Sequence, residues 1–155
     1  MINKCVQLLA ERGVELEDIA ECVVFLQQKY MPELDKTMAM KAVYSVLEKR
    51  EVQYALMTGL FLDRSAEKEM DDAQLQQLLM KDDGLYGIDE VLAYGICNLY
   101  GSIALTNYGY IDKVKPGIIG KMNEHHDKCN TFLDDLVGAI AAAAASKLAH
   151  NREEM

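Results

Sequence analysis

The sequence predicts an all-α fold: one compact domain of about six helices around a buried central helix. Three observations carry this expectation. Apolar residues recur at three- and four-residue steps instead of alternating, the chain holds only 2 prolines, and 50% of its residues are hydrophobic. A length of 155 residues suits a single domain over 1–155 with a substantial core.

The first helix is expected over residues 2–11, stopped by the Arg12-Gly13 pair. A second starts near Glu15, carries Ile19, Val23 and Leu26 on one face, and ends before Pro32. From Thr37 a long pattern keeps Met40, Val43, Val46 and Leu47 on one side and continues to about Met70, with Gly59 as a point of kinking. Residues 71–82 read as a short amphipathic helix, and "DGLYG" marks a turn. Positions 91–111 carry no charge and match a bilayer in length, but Asn98, Ser102, Thr106, Asn107 and three glycines favour burial in protein over lipid. This run is the expected central helix.

The last helix opens in "NTFLDDLVGAIAAAAASKLAH". Residues 136–146 have no charge on any face, which marks a buried helix. Thr131, Asp135, Gly138, Ala142, Ala145 and Ala149 form one stripe of small residues headed by Asp135, so a neighbouring helix can approach closely.

Composition narrows the function. With 25 acidic against 16 basic residues, the net charge of −9 opposes nucleic-acid binding and favours cations as partners. Cys5, Cys22, Cys97 and Cys129 lack zinc spacing, and no signal-peptide pattern is visible, so reduced thiols in a cytoplasm are expected.

Acidic pairs head both charge-free segments: Asp89-Glu90 in "YGIDEVLAYGI" and Asp134-Asp135 in the last helix. Thr131 with Asp134 also matches a capping box, and first-turn carboxylates suit the helix dipole. If the two helix starts lie at one end of the domain, the carboxylates converge and call for a cation. Oxygen ligands alone would select Mg²⁺, Mn²⁺ or Ca²⁺. If the starts lie at opposite ends, each pair is a cap. Between them, "YIDKVKPG" sets Asp112, Lys113 and Lys115 on a loop, where a lysine beside a carboxylate-bound metal would suit phosphate chemistry or simply form a solvated turn. His125, His126 and Asp127 are expected in an exposed loop, and His150 on the surface.

The succession "IDEVLAYG", "YIDKVKPG" and "FLDDLVGAIAA" resembles the phosphatidylglycerophosphatase A family over about residues 52–148, while residues 1–50 carry no matching motif. The resemblance implies a Mg²⁺-dependent phosphatase, with Mn²⁺ as the substitute ion, acting on phosphatidylglycerophosphate or a related phosphomonoester. It implies Asp89, Asp112, Lys115 and Asp135 as catalytic residues, and Asp89, Glu90, Asp134 and Asp135 as metal ligands. The chain lacks the Trp residues and the glycine- and proline-rich N-terminal segment typical of the membrane-embedded members. It therefore looks like a soluble branch, expected to form a homo-oligomer that covers its apolar helices and to touch the membrane peripherally if its substrate is lipid. The competing expectation is a noncatalytic helical binding or scaffold protein that keeps the carboxylates as a structural metal site or as caps.

Overall fold

A computed structural model describes residues 1–124 and 128–153. Among them are nine helices: α1 (Ile2–Glu11), α2 (Leu16–Gln27), α3 (Lys36–Leu47), α4 (Arg50–Ala66), α5 (Ala73–Lys81), α6 (Ile88–Asn98), α7 (Ser102–Val114), α8 (Ile118–Asn123) and α9 (Thr131–Glu153). The all-α class and the single domain match the expectation. The helix number and the identity of the central helix do not.

The central helix is α9. Helices α2, α3, α4, α6 and α7 all pack directly on it, and every residue from 131 to 146 is buried. A helix without a polar face can be satisfied only by neighbours on all sides. Phe132, Leu133, Leu136 and Ile140 are fully enclosed, and each such side chain contributes about 1.5–3 kcal/mol through removal from water. The alanines between them let flanking backbones approach.

Two runs expected to be single helices are each divided. The 37–70 pattern breaks at Lys49, whose backbone is extended (φ −76°, ψ 131°). Continuous periodicity hides this break because α3 and α4 both pack on α9. Gln53, itself buried, seals the junction by donating from Nε2 to the Leu47 carbonyl at 2.8 Å, which satisfies a carbonyl the helix end would leave open. Helix α4 runs unbroken through Gly59. A Cβ there would lie 2.5 Å from Leu136 Cδ1 and 3.0 Å from Phe132 Cβ, so the glycine is where α4 meets α9.

The 91–111 run divides at Gly101, whose φ of 96° ends any continuous helix. The resulting α6 and α7 bury one side on α9 and leave Val91, Tyr94, Leu105 and Tyr110 exposed on the other, so this run is not the buried centre. Among the described residues, no helix is long and apolar enough to cross a membrane. The topology brings the starts of α6 and α9 and the end of α7 to one end of the domain.

Candidate functional site

Gly87, with φ of 72°, opens α6 and sets Asp89 and Glu90 in its first turn. Successive helical residues point about 100° apart, which explains their different fates: Asp89 is buried and Glu90 is exposed. In α9, Asp134 and Asp135 are both buried. The carboxyl groups of Asp89 and Asp135 lie within hydrogen-bonding reach of each other. One member of each acidic pair therefore meets a member of the other.

The end of α7 completes the cluster. Lys115 closes the helix in the left-handed conformation (φ 53°), with its N–H donating to the Ile111 carbonyl at 2.8 Å. Its Nζ stands 3.4 Å from Asp112 Oδ1 and 4.0 Å from Asp134 Oδ2. Gly120 helps seat this turn, because a Cβ there would stand 2.6 Å from the Lys115 carbonyl oxygen. Lys113 is exposed on the far side of the turn.

The site is electrostatically loaded. Burial pushes the Asp134 carboxyl up to about 7, against the opposing pull of Lys115. Burial raises Asp135 further, aided by the nearby Asp89 carboxyl and the neighbouring Asp134 charge. Asp82, at the end of α5, is raised by burial and by Asp89, despite the attraction of Lys115. Burial works against the Lys115 charge, but Asp112, Asp134 and Asp135 outweigh it and hold the ammonium above the usual lysine range. The Tyr108 hydroxyl is pushed up by burial and by Asp135, and it is buried without a well-formed hydrogen bond. Three buried aspartates, Asp89, Asp134 and Asp135, beside one ammonium form an environment short of positive charge.

The donors are oxygen atoms, the chemistry that suits Mg²⁺ or Mn²⁺. Among the described residues, no three Asp, Glu, His or Cys side chains already converge as a metal-binding set. The fit to a cation therefore rests on the donor chemistry and the uncompensated charge.

The capping-box reading of Thr131 and Asp134 is overturned. The Thr131 hydroxyl donates to the Leu79 carbonyl at 2.6 Å, tying the end of α5 to the start of α9. Asp63, reaching from α4, accepts the N–H groups of Phe132 at 2.9 Å and Leu133 at 2.8 Å. Asp63 thus caps α9 from outside, leaving Asp134 to accept only the adjacent Asp135 N–H, at 2.8 Å, and to face Lys115. Asp63 is fully enclosed, and burial pushes its carboxyl up to about 7 despite these donors.

Sequence reasoning missed Asp63, although a signal existed. It falls on the buried stripe of α4 with Leu56, Gly59, Leu60 and Ala66, where a solvated charge has no place. It also missed Arg12, which bridges Glu67 through two hydrogen bonds (2.6 and 2.9 Å) and donates to the Cys129 carbonyl at 2.7 Å and to Asn130 Oδ1 at 3.1 Å. Glu67 in turn accepts the Cys129 N–H at 2.8 Å. This clamp fixes the segment that leads into α9. No local pattern marks it, because its partners are remote in sequence. His150 is exposed as expected, while His125, His126 and Asp127 lie outside the described residues. The four cysteines are buried free thiols.

Comparison with known proteins places this geometry in a group. The family model described as phosphatidylglycerophosphatase A matches residues 13–150. The chain is 56% identical over 143 residues to the uncharacterized protein YutG of Bacillus subtilis, covering 92% of this chain and 86% of that one. Its fold matches the crystal structure of the low temperature requirement C protein from Listeria monocytogenes with a TM-score of 0.95 and 57% identity, covering 98% of this chain and 96% of the other. A protein of unknown function from Bacillus stearothermophilus matches with a TM-score of 0.95 and 53% identity, over 97% and 94% of the two chains.

Proposed function

The chain belongs to the phosphatidylglycerophosphatase A family, and we propose that it is a metal-dependent phosphatase that removes the terminal phosphate of phosphatidylglycerophosphate or a related phosphomonoester. The observation that carries this reading is the meeting of Asp89 with Asp135 under Lys115, at the shared end of α6, α7 and α9. Family membership supplies the reaction class. The residues supply the roles.

Asp89, Asp134 and Asp135 would hold Mg²⁺ or Mn²⁺, with Glu90 at the solvent edge. The ion would supply polarisation of the phosphoryl oxygens. Lys115 neutralises the non-bridging oxygens of the phosphoryl group, and Asp112, 3.4 Å from its Nζ, aims it. Water attacks phosphorus in line and the bond to the alcohol oxygen breaks. The ionised member of the Asp89–Asp135 pair takes the water's proton, and the departing oxygen is protonated from solvent.

The exposed apolar side of α6 and α7, with Val91, Tyr94, Leu105 and Tyr110, supports self-association into a homo-oligomer. The activity is tested by phosphate release from phosphatidylglycerophosphate in detergent micelles and from glycerol phosphate. Release with Mg²⁺ that stops on chelation is expected. An inert protein on both substrates, with either ion, would leave the noncatalytic reading.

A further inference from the structure

A cavity of about 540 Å³ lies away from the carboxylate cluster, between the end of α2, the first half of α7 and the last turns of α9. About 20 Å of helix separates Asp135 from Ala149, the residue of α9 on the cavity wall. Gln27, Ser102, Thr106 and Asn107 make the polar part of that wall, and Tyr30 and Ile103 add apolar surface. Among the described residues, no charged side chain lines it. Both the volume and the mixture of apolar surface with a few polar groups fit a small-molecule site.

Two carboxamides on this wall lack partners. Gln27 is only 5% exposed, and among the described residues its side chain makes no hydrogen bond. Asn107 Nδ2 is buried without an acceptor. Buried polar groups are paired in most native structures, so an amide left open on a cavity wall points to a ligand. Gly101 adds to the unmet polar groups, because it gives α7 no side chain to cap its first-turn N–H groups. A second compartment of about 290 Å³ shares Tyr30, Thr106 and Asn107 with the first and adds Phe25, Lys29 and Tyr110. Phe25 and Tyr110 stack with their ring centres 6.0 Å apart. Lys29 Nζ stands 5.0 Å from the Tyr30 ring centre and 5.9 Å from that of Tyr110. The groove is thus lined by amides at one end, and is aromatic with a single positive charge at the other.

We propose that this groove binds a small molecule carrying a nucleobase, whose ring edge is read by Gln27 and Asn107. A carboxamide offers a donor and an acceptor side by side, the pattern that pairs with the donor and acceptor on the edge of a base such as adenine. Aromatic faces next to it suit a flat ring. The uncharged amide wall matches a neutral base, and Lys29 matches the phosphate of a nucleotide. A free nucleoside and a nucleotide share this chemistry. The proposal stands apart from the phosphatase reading and uses none of its residues.

The test titrates the full chain, without divalent ions, with adenosine, guanosine, cytidine and uridine in turn and follows binding by NMR. At least one nucleoside should bind, with shifted amides centred on the end of α2 and the first half of α7. Gln27→Leu should weaken that binding about tenfold, the loss expected when a hydrogen-bonding group is removed. Its melting temperature should stay level or rise, because the amide has no protein partner to lose. Thr106→Val removes a hydroxyl from the same wall and should weaken binding too, which keeps the test decisive if Gln27→Leu does not fold. Gln28→Leu, at an exposed neighbour on the chain, should bind as wild type does. No binding of any nucleoside, shifts centred on the start of α9, or ribose binding as tightly as the nucleoside would overturn the proposal. Equal affinity in Gln27→Leu and Thr106→Val, or an equal loss in Gln28→Leu, would do the same. A second arm uses the monophosphate of the bound nucleoside: a gain in affinity that Lys29→Gln removes assigns a nucleotide, and equal binding assigns the free nucleoside. Nucleoside binding by a protein that releases no phosphate would refute the phosphatase reading alone. Phosphate release by a protein that binds no nucleoside would refute this site alone.

Discussion

The carboxyl group of Asp89, in the first turn of α6, lies within hydrogen-bonding reach of that of Asp135, just past the first turn of α9. Two buried carboxyl groups make such a contact only when one is protonated or a cation lies with them. The site therefore prefers protons or a metal to remaining empty and ionised, and the first prediction follows from that preference.

Asp63 and Asp134 are both pushed up to about 7 by burial. Between the unfolded carboxylate value of about 3.9 and that value, the native state binds more protons than the unfolded chain. Stability is then fully present below the unfolded value and falls as pH rises through about 7. Melting temperature without divalent ions should drop from about pH 5 to about pH 8. Mg²⁺ should restore part of it at the higher pH, since a ligand bound only to the native state stabilises that state. A thermal-shift series over pH, with and without Mg²⁺, reads both effects.

Asp135→Asn keeps a donor toward Asp89 and removes a buried ionisable group. Phosphate release should fall by about 10²–10⁴-fold, the range for removal of an acid–base group. The metal-free melting temperature should stay level or rise. Turnover close to wild type would take Asp135 out of the mechanism.

Asp63→Ala removes the cap of α9 and leaves the Phe132 and Leu133 N–H groups without their acceptor. Loss of a capping side chain costs about 0.5–2 kcal/mol, and burial of the orphaned donors adds to it. Denaturant unfolding measures the sum. Because this helix start carries Asp134 and Asp135, activity should fall as well.

Gly59→Ala sets two effects against each other. Alanine is favoured over glycine inside a helix by about 1 kcal/mol, yet its Cβ would stand 3.0 Å from Phe132 Cβ and 2.5 Å from Leu136 Cδ1. Leu136 can rotate, but the Cβ of Phe132 is fixed to a buried backbone. Overpacking should win by a net of about 1–2 kcal/mol, seen as a lower unfolding midpoint.

How much of this was legible in the sequence depends on distance along the chain. The burial of α9 could be read from residues 136–146, because the absence of a polar face is a local property. The paired acids and Lys115 were likewise visible as short motifs. Their convergence was not, since the capping and metal readings differ only in which end of the domain each helix starts from. The breaks at Lys49 and Gly101 were missed because hydrophobic periodicity and absence of charge both run through them. Gly101 was still a readable warning. Asp63 was readable as a charge on an apolar stripe, whereas Arg12 was not, because Glu67 and Cys129 meet it only in the folded chain.

The most direct test of the central claim is a crystal grown or soaked with Mn²⁺ and measured at a wavelength where manganese scatters anomalously. The account predicts an anomalous peak among the carboxylates of Asp89, Asp134 and Asp135, on the side of the cluster that faces Lys115. A fully occupied crystal with no peak there, or with manganese bound only elsewhere on the surface, would contradict it.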